Sequence, residues 1–326
     1  MKRTVRKGQI DQMKKAHSES EPGQGRINSD FSRMRAVGKN MRTARKAGWD
    51  LLQLLLIVGL GMLFCMPVLT LFSGSLADDL EWKTRAAAVL KDTEGYLSWK
   101  WLPDYPTLEH YKRLLFYTPQ FLILFWNSIK MVGCILAGQL LVAVPGAWAL
   151  SMYHFRGKNL MFSLYVILML LPFQVMQLSK YLVLDRMGLM DTQAAVVLPA
   201  IFSTFPVFLI YRSFAGIPGE LLEAARMDGA GELRIFVMVG LPLAQGGILA
   251  AMVLGFLEYW NMMEEPLAFL KEKALWPLSL YLPEISMEQA GFACAASMIT
   301  LTVSLFIFAI FRDSLEQGII SSGLKG

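Results

Sequence analysis

The sequence is poor in the residues from which most metal and catalytic centres are built. It contains three cysteines and three histidines among 326 residues. The cysteines lie inside apolar blocks at no spacing typical of a disulfide or a zinc site, so we interpret them as small buried hydrophobes. The histidines show no metal-ligand pattern and no grouping with Ser or Cys that suggests a nucleophile. The sequence therefore predicts no metal site, no catalytic residue and no enzyme activity.

Charged residues are scarce as well. Asp, Glu, Lys and Arg make up 17% of the chain and hydrophobic residues 55%, whereas an ordinary soluble domain has about 25% charged residues. The apolar residues are concentrated in long blocks. Because the bilayer is the better solvent for such blocks, the composition favours an all-α integral membrane protein.

Positive charge is concentrated at the N-terminal end. Residues 1–48 carry thirteen Lys or Arg and four acidic residues, and we interpret them as a basic cytoplasmic arm that is partly disordered. A basic tail can also bind nucleic acid, but no base-reading motif accompanies it, so we expect no nucleic-acid partner. A signal peptide would have an apolar region of about 7–15 residues. The run over 49–72 reaches the ~20 residues of a membrane span, which predicts an uncleaved first transmembrane helix.

Five further apolar blocks follow, which gives six predicted transmembrane helices. The blocks lie at residues 121–150, 160–179, 194–211, 243–262 and 292–311. With both termini in the cytoplasm, the inside segments carry twenty Lys or Arg and ten acidic residues. The outside loops carry ten Lys or Arg and fourteen acidic residues. This bias follows the positive-inside rule and rests mainly on the N-terminal arm. It makes 73–120 an extracytoplasmic loop, 121–312 a transmembrane core and 313–326 a cytoplasmic tail.

The segment between the fourth and fifth blocks, residues 212–242, differs from the apolar sequence around it. Its centre reads GELLEAARMDGAGELRIFVMV, which predicts two short helices separated by a turn at Gly229, where glycine ends a helix at little cost. The side chains predicted to share one apolar face are Leu222, Ala225, Ile235 and Phe236. Helices this short are marginal in water, so we expect the pair to need a partner surface. A plain cytoplasmic loop that rests on its own transmembrane bundle is the alternative interpretation.

The 212–242 segment resembles the EAA loop of permease subunits in ABC importers. The residues that carry the resemblance are Glu223, Ala224, Ala225, Asp228, Gly229, Leu241 and Pro242. The resemblance extends over residues 106–326, where stretches such as FLIYRSFAGIPGELLEAARMDGA are similar to the second permease of maltose-type, binding-protein-dependent carbohydrate importers.

The resemblance implies the type I permease fold of ABC importers and a role in ATP-driven sugar uptake across the bacterial plasma membrane. The implied partners are a second permease subunit, two ATPase subunits, an extracellular solute-binding protein, a sugar or oligosaccharide substrate and membrane lipids. The residues that carry the resemblance are expected to couple the chain to an ATPase. Glu223 is the expected polar anchor and Gly229 the expected close-approach turn.

The chain has no ATP-binding loop of its own. A Walker-type loop needs Gly-x-x-x-x-Gly-Lys-Ser/Thr. The nearest match, Gly157-Lys158, is followed by Asn159 and has Met152 at the first glycine position. We therefore expect no cofactor bound by this chain, and hydrolysis of ATP, with Mg, by the partner ATPase.

Polar residues within the apolar blocks are candidates for the translocation path. Amide groups and aromatic faces suit sugars, and we select Gln174, Glu258, Trp260 and Asn261. A charged residue inside a span costs ~2.5–3.5 kcal/mol. Glu258 is therefore expected to face a cavity or a partner, for which Lys130 is a candidate. A position of both residues near the outer interface fits the sequence equally well.

Other functions compete with sugar import. The same importer class would also accommodate a glycerophosphodiester, an aminated sugar or a peptide as cargo. An ion-driven secondary transporter would have an inverted repeat with midplane sites, but no repeat is obvious in the sequence, and this class leaves the 212–242 segment unexplained. A membrane enzyme would need a cluster of titratable catalytic groups, which the sequence does not show.

Overall fold

The structure is a computed structural model, and it describes residues 24–90, 101–282 and 289–323. Within these residues the regular elements are helices, and the one β-type contact is an isolated bridge between Ala77 and Pro106. The helices in chain order are α1 (Gln24–Leu76), α2 (Asp79–Leu90), α3 (Glu109–Lys112), α4 (Pro119–Met152), α5 (Lys158–Leu170), α6 (Phe173–Arg186), α7 (Gln193–Ile201), α8 (Thr204–Ala215), α9 (Gly219–Met227), α10 (Glu232–Ile235), α11 (Leu241–Trp260), α12 (Glu264–Phe269), α13 (Leu278–Tyr281) and α14 (Ala290–Gly323). The predicted all-α class is confirmed.

The chain divides into two compact units, Met1–Val68 and Leu69–Gly326. In the first unit, α1 begins at Gln24, so the second half of the basic arm is helical and runs directly into the first span. Residues 1–23 lie outside the described residues, so partial disorder of the arm stays a prediction. Side chains 51–68 are exposed on every side of α1, and an apolar surface all round a helix is typical of a membrane span.

Five helical segments in the described part of the chain are long and apolar enough to cross a membrane. They are Asp50–Leu76, Pro119–Met152, Gln193–Ala215, Glu232–Trp260 and Ala290–Leu315. Each overlaps one of the predicted spans. The chain is therefore a membrane protein whose spans agree with the hydropathy pattern at these five places.

The third predicted span, residues 160–179, is not one helix. Helix α5 and the helical stretch from Gln174 to Arg186 meet at an angle of 104°, and they make a sixth span only if both arms belong to one crossing. The break lies at Leu171-Pro172, where both residues adopt extended ψ angles. Proline lacks the N–H that would continue the helical ladder and disfavours the α conformation of the residue before it. The sequence thus contains the cause of the bend.

Helix α4 is the centre of the second unit. It packs against α7, α8 and α11, and α11 packs along α14. Gln139, which is fully buried on α4, donates through Nε2 to the carbonyl of Ala200 at 2.8 Å and to Tyr259 Oη at 2.9 Å. Because an apolar surrounding offers no water to satisfy polar groups, these two hydrogen bonds stabilise the packing of α4 against α7 and α11.

Loops meet at the end of the spans that is predicted to be extracytoplasmic. Asp191 follows α6 in a left-handed conformation with φ 60°. Its Oδ1 accepts hydrogen bonds from the backbone N–H groups of Lys271 (2.8 Å) and Glu272 (3.0 Å). These donors, that of Glu272 foremost, hold the pKa of Asp191 below its usual range. The loop after α6 is therefore fastened to the loop after α12.

Gly240 lies at a close approach between the start of α11 and α4. A Cβ atom added at Gly240 would be 2.5 Å from Trp148 Cζ3, whereas one added at Gly146, also on α4, would meet nothing within 4 Å. We expect Gly240→Ala to destabilise the folded protein by about 1–3 kcal/mol, since overpacking forces neighbours to shift. Gly146→Ala is the matched control and should be nearly neutral. Thermal unfolding of both variants in detergent tests this, and equal midpoints would contradict the close packing.

Candidate functional site

The first helix of the 212–242 segment ends in a glycine turn. Helix α9 begins after Pro218, and Gly229 follows it with φ +80°. The N–H of Gly229 donates to the carbonyl of Arg226, and the N–H of Ala230 donates to the carbonyl of Ala225, both at 3.0 Å. This pair of hydrogen bonds is a Schellman motif, which satisfies the last carbonyls of a helix and favours glycine at the left-handed position. The predicted turn at Gly229 is confirmed.

The second helix of the segment continues into the fifth span without a loop. Helix α10 passes into a π-helical turn over Phe236–Gly240, and α11 follows at Leu241. Pro242 lies in the first turn of α11. Proline has no N–H to donate to the helical ladder, and the wider π-helical turn before it makes room for the proline ring where this hydrogen bond is missing. The 212–242 segment is thus joined rigidly to α11, while Gly216–Pro218 form a short turn after α8.

The apolar face of the segment is buried against the chain's own bundle. Leu222 and Ile235 are buried, and Ala225 and Phe236 pack against the same cluster, which includes Trp148. The ring centroids of Trp148 and Phe236 are 5.3 Å apart. The shared face is therefore confirmed, and the surface on which it lies is α4 and α8 rather than another polypeptide.

The opposite face of the segment is open. The exposed residues on it that carry the resemblance described above are Glu223, Ala224, Asp228 and Gly229. Large apolar side chains accompany them, with Met227 88% and Leu233 75% exposed. One face of the segment therefore rests on the chain's own bundle, as the alternative interpretation predicts, and the opposite face is exposed.

A second site lies among the spans. We name it the Glu258 cavity: a space of about 690 Å³ between both arms of the bent α5–α6 pair, the α7–α8 break and the region that follows α11. Its charged residues and principal polar ones are Lys180, Ser203, Thr204, Glu258, Asn261, Glu264 and Glu265. Lys180 Nζ forms an ion pair with Glu265 Oε1. The wall also includes the flexible apolar side chains of Met176, Met262 and Met263.

The structure brings together two of the four residues selected for the translocation path. Glu258 and Asn261 line the Glu258 cavity. Trp260 is 2% exposed; its ring stacks on Phe256 at 5.5 Å, so it is part of the core. Gln174 is exposed but is not among the described residues of the wall.

The charged neighbours of Glu258 differ from the expectation. The cation that lines the cavity with it is Lys180, and Lys130 is not among the described lining residues. Lys180 and Glu265 are 85 residues apart in sequence, so only the tertiary fold shows that they meet. The sequence feature that could have indicated a charged site here is the pair of acidic residues Glu264-Glu265, which follows Met262-Met263 in an otherwise strongly apolar region.

Comparisons with known proteins agree with this architecture. Residues 140–320 match the family described as binding-protein-dependent transport system inner membrane component. The chain is similar to the arabinooligosaccharides transport system permease protein AraQ of Halalkalibacterium halodurans, with 30% identity over 205 residues that cover 62% of this chain and 74% of that protein. It is also similar to protein LplC of Bacillus subtilis, with 27% identity over 300 residues that cover 86% and 97%.

A solved structure shows the same fold. It is the crystal structure of a bacterial ABC transporter involved in the import of the acidic polysaccharide alginate. The match has a TM-score of 0.69 at 21% sequence identity, and it covers 81% of this chain and 95% of the other. The helices described above are therefore arranged as in an ABC importer permease.

Single cysteines test which face of the 212–242 segment is free and on which side of the membrane it lies. In a chain whose three native cysteines are replaced by alanine, Met227→Cys and Leu233→Cys should react rapidly with a membrane-impermeant maleimide in inside-out vesicles. Leu222→Cys, at a site 5% exposed, is the buried control and should react slowly. Faster labelling of the exposed sites in right-side-out vesicles would show that the predicted orientation is wrong.

Proposed function

Because the chain belongs to the family of binding-protein-dependent transport system inner membrane components, we propose that it is one of two permease subunits that together line the translocation path of an ATP-driven importer. It carries no catalytic site in this role. Two separate ATPase subunits supply the energy, using ATP and Mg, and an extracellular binding protein delivers the solute.

The observation that carries this proposal is the pair of contrasting faces on the 212–242 segment. A coupling element has to be stiff and joined to the spans, and α10 continues into α11 through a helical turn. It also has to offer a surface to the motor, and Met227 (88%), Leu233 (75%) and Glu223 are all exposed on the segment. Neither feature is needed in a loop that only connects two spans.

Individual residues have distinct roles in the proposed docking. Glu223 supplies a charge for hydrogen bonds to the ATPase surface, which are stronger than neutral ones. Ala224 and Gly229 are small, so the partner's backbone can approach the helix and the turn closely. Asp228 caps the end of α9 between them. Leu241 and Pro242 begin the helix that receives the motion.

The cargo we propose is a carbohydrate, and the path for it passes the Glu258 cavity. The relative from Halalkalibacterium halodurans is named for arabinooligosaccharides. The cavity presents Asn261, Ser203 and Thr204 as hydrogen-bonding groups, which suits a solute rich in hydroxyl groups. The charged lining residues comprise three carboxylates and one ammonium group. Like charges repel strongly in a site of low dielectric, so this wall favours a neutral sugar over a glycerophosphodiester.

Substitutions at the free face test the coupling role. In the importer reconstituted with its partner subunits, Glu223→Ala and Gly229→Val should lower both solute uptake and the solute-stimulated ATPase rate by about 10-fold or more, a loss of at least ~1.4 kcal/mol in the coupling free energy. Membrane insertion should be unchanged, because both positions are exposed. Glu220→Gln, a change to another exposed acid of α9, is the control. Uptake at the parental rate by both variants would contradict docking.

The cargo class is tested by ligand binding to the cognate solute-binding protein. We expect calorimetry to show binding of neutral oligosaccharides and none of glycerophosphodiesters or peptides. The same panel is then measured as stimulation of ATP hydrolysis by the reconstituted importer. Stimulation by a glycerophosphodiester alone would refute the carbohydrate assignment while leaving the permease assignment intact.

A further inference from the structure

One carboxylate at the start of α10 joins three segments of the chain. Glu232 Oε1 accepts a hydrogen bond from Arg226 Nε in the last turn of α9, at 3.0 Å. Glu232 Oε2 accepts a hydrogen bond from Tyr153 Oη, at 3.3 Å. Tyr153 is the residue directly after α4, 79 positions before Glu232. The two oxygens of one side chain thus connect both helices of the 212–242 segment to the end of the second span.

The bond to Arg226 spans the turn between α9 and α10. This turn has a glycine at its left-handed position, where no side chain contributes packing, and a Cβ atom there would meet nothing within 4 Å. The ion pair joins residues six positions apart across this turn. It therefore restrains the angle between the two short helices. The Glu232 carboxylate also raises the pKa of the Arg226 guanidinium above its ordinary value, through their hydrogen bond.

The bond to Tyr153 makes a connection that the covalent chain does not provide. By chain connectivity the segment is joined to α8 and α11 only. Trp148 of α4 packs on Phe236 inside the segment, and the Tyr153 hydroxyl fastens the same end of α4 at the exposed rim. We propose that Glu232 is a positioning residue that links the end of α4 to the 212–242 segment, so that movement of this segment reaches α4 as well as α8 and α11.

This role is one of geometry rather than of stability. Arg226 and Glu232 are 45% and 48% exposed, and ion pairs in such positions are weakened by solvent and salt. Loss of the link should therefore leave folding and assembly intact while it loosens the transmission of motion. The inference rests on the proposed function, because it assumes that an ATPase moves the segment.

The experiment measures coupling in the reconstituted importer. Glu232→Ala should lower the number of solute molecules taken up per ATP hydrolysed by between about 2-fold and 30-fold, the range in which mutations along coupled networks act. Tyr153→Phe should give a smaller loss, since it removes one of the two hydrogen bonds. The exchanged pair Arg226→Glu with Glu232→Arg should restore most of the ratio. Glu220→Ala is the matched control, and an equal loss in it would show that surface charge, not the link, is responsible.

A distance measurement separates transmission from a structural defect. Spin labels at His154 and Leu221, both exposed, report the separation between the end of α4 and α9. We expect a narrow distance distribution in the parent, with and without trapped nucleotide, and a broadened one in Glu232→Ala. An unchanged distribution would overturn the inference. If Glu223→Ala and Gly229→Val also transport normally, the proposed function fails; if they are impaired and Glu232→Ala is not, only the link is wrong.

Discussion

The 212–242 segment depends on an aromatic cluster at the end of α4. Trp148 lies edge-on to Phe214 at 5.2 Å and against Phe236 at 5.3 Å, arrangements that add to the free energy of apolar burial. Helices α9 and α10 have nine and four residues, which is too short for a helix to be stable alone in water. They keep their shape because Leu222 and Ile235 are buried on this cluster. The exposed face of the segment therefore has a fixed orientation, because its opposite face is packed on this cluster.

What the sequence predicts correctly are features that local patterns determine. The spans follow from apolar blocks of sufficient length, because a backbone in lipid has to satisfy its hydrogen bonds within a helix. The turn at Gly229 follows from the low cost of a positive φ at glycine. The shared face of Leu222 and Ile235 follows from helical spacing within two short segments. None of these requires knowledge of distant parts of the chain.

What the sequence leaves open depends on tertiary packing. Trp260 suits a sugar site by residue type, yet it is turned into the core against Phe256, and its Nε1 donates to the Thr300 carbonyl. Hydropathy alone does not show on which side of a span a residue lies. The ion pair of Lys180 with Glu265 joins distant segments, so no spacing rule finds it. Pro172 is visible in the sequence, but proline is tolerated in membrane helices, and whether the span breaks there depends on the neighbouring helices that accept the freed backbone groups.

The two ends of the 212–242 segment are attached to the spans in different ways, and this asymmetry bears on how force is transmitted. Towards α11 the backbone is helical throughout, so rotation of α10 turns the start of α11 with it. Towards α8 the backbone leaves the helix in a turn at Gly216–Pro218, and the Ile217 side chain of this turn is buried in the same cluster. The close contact of Gly240 with Trp148 then couples the rotation of α11 to α4 through van der Waals packing. Because packed cores move between discrete arrangements rather than deform continuously, a small displacement of the segment is expected to act on α11 through the continuous helix and on α4 and α8 through the packed cluster that they share with the segment.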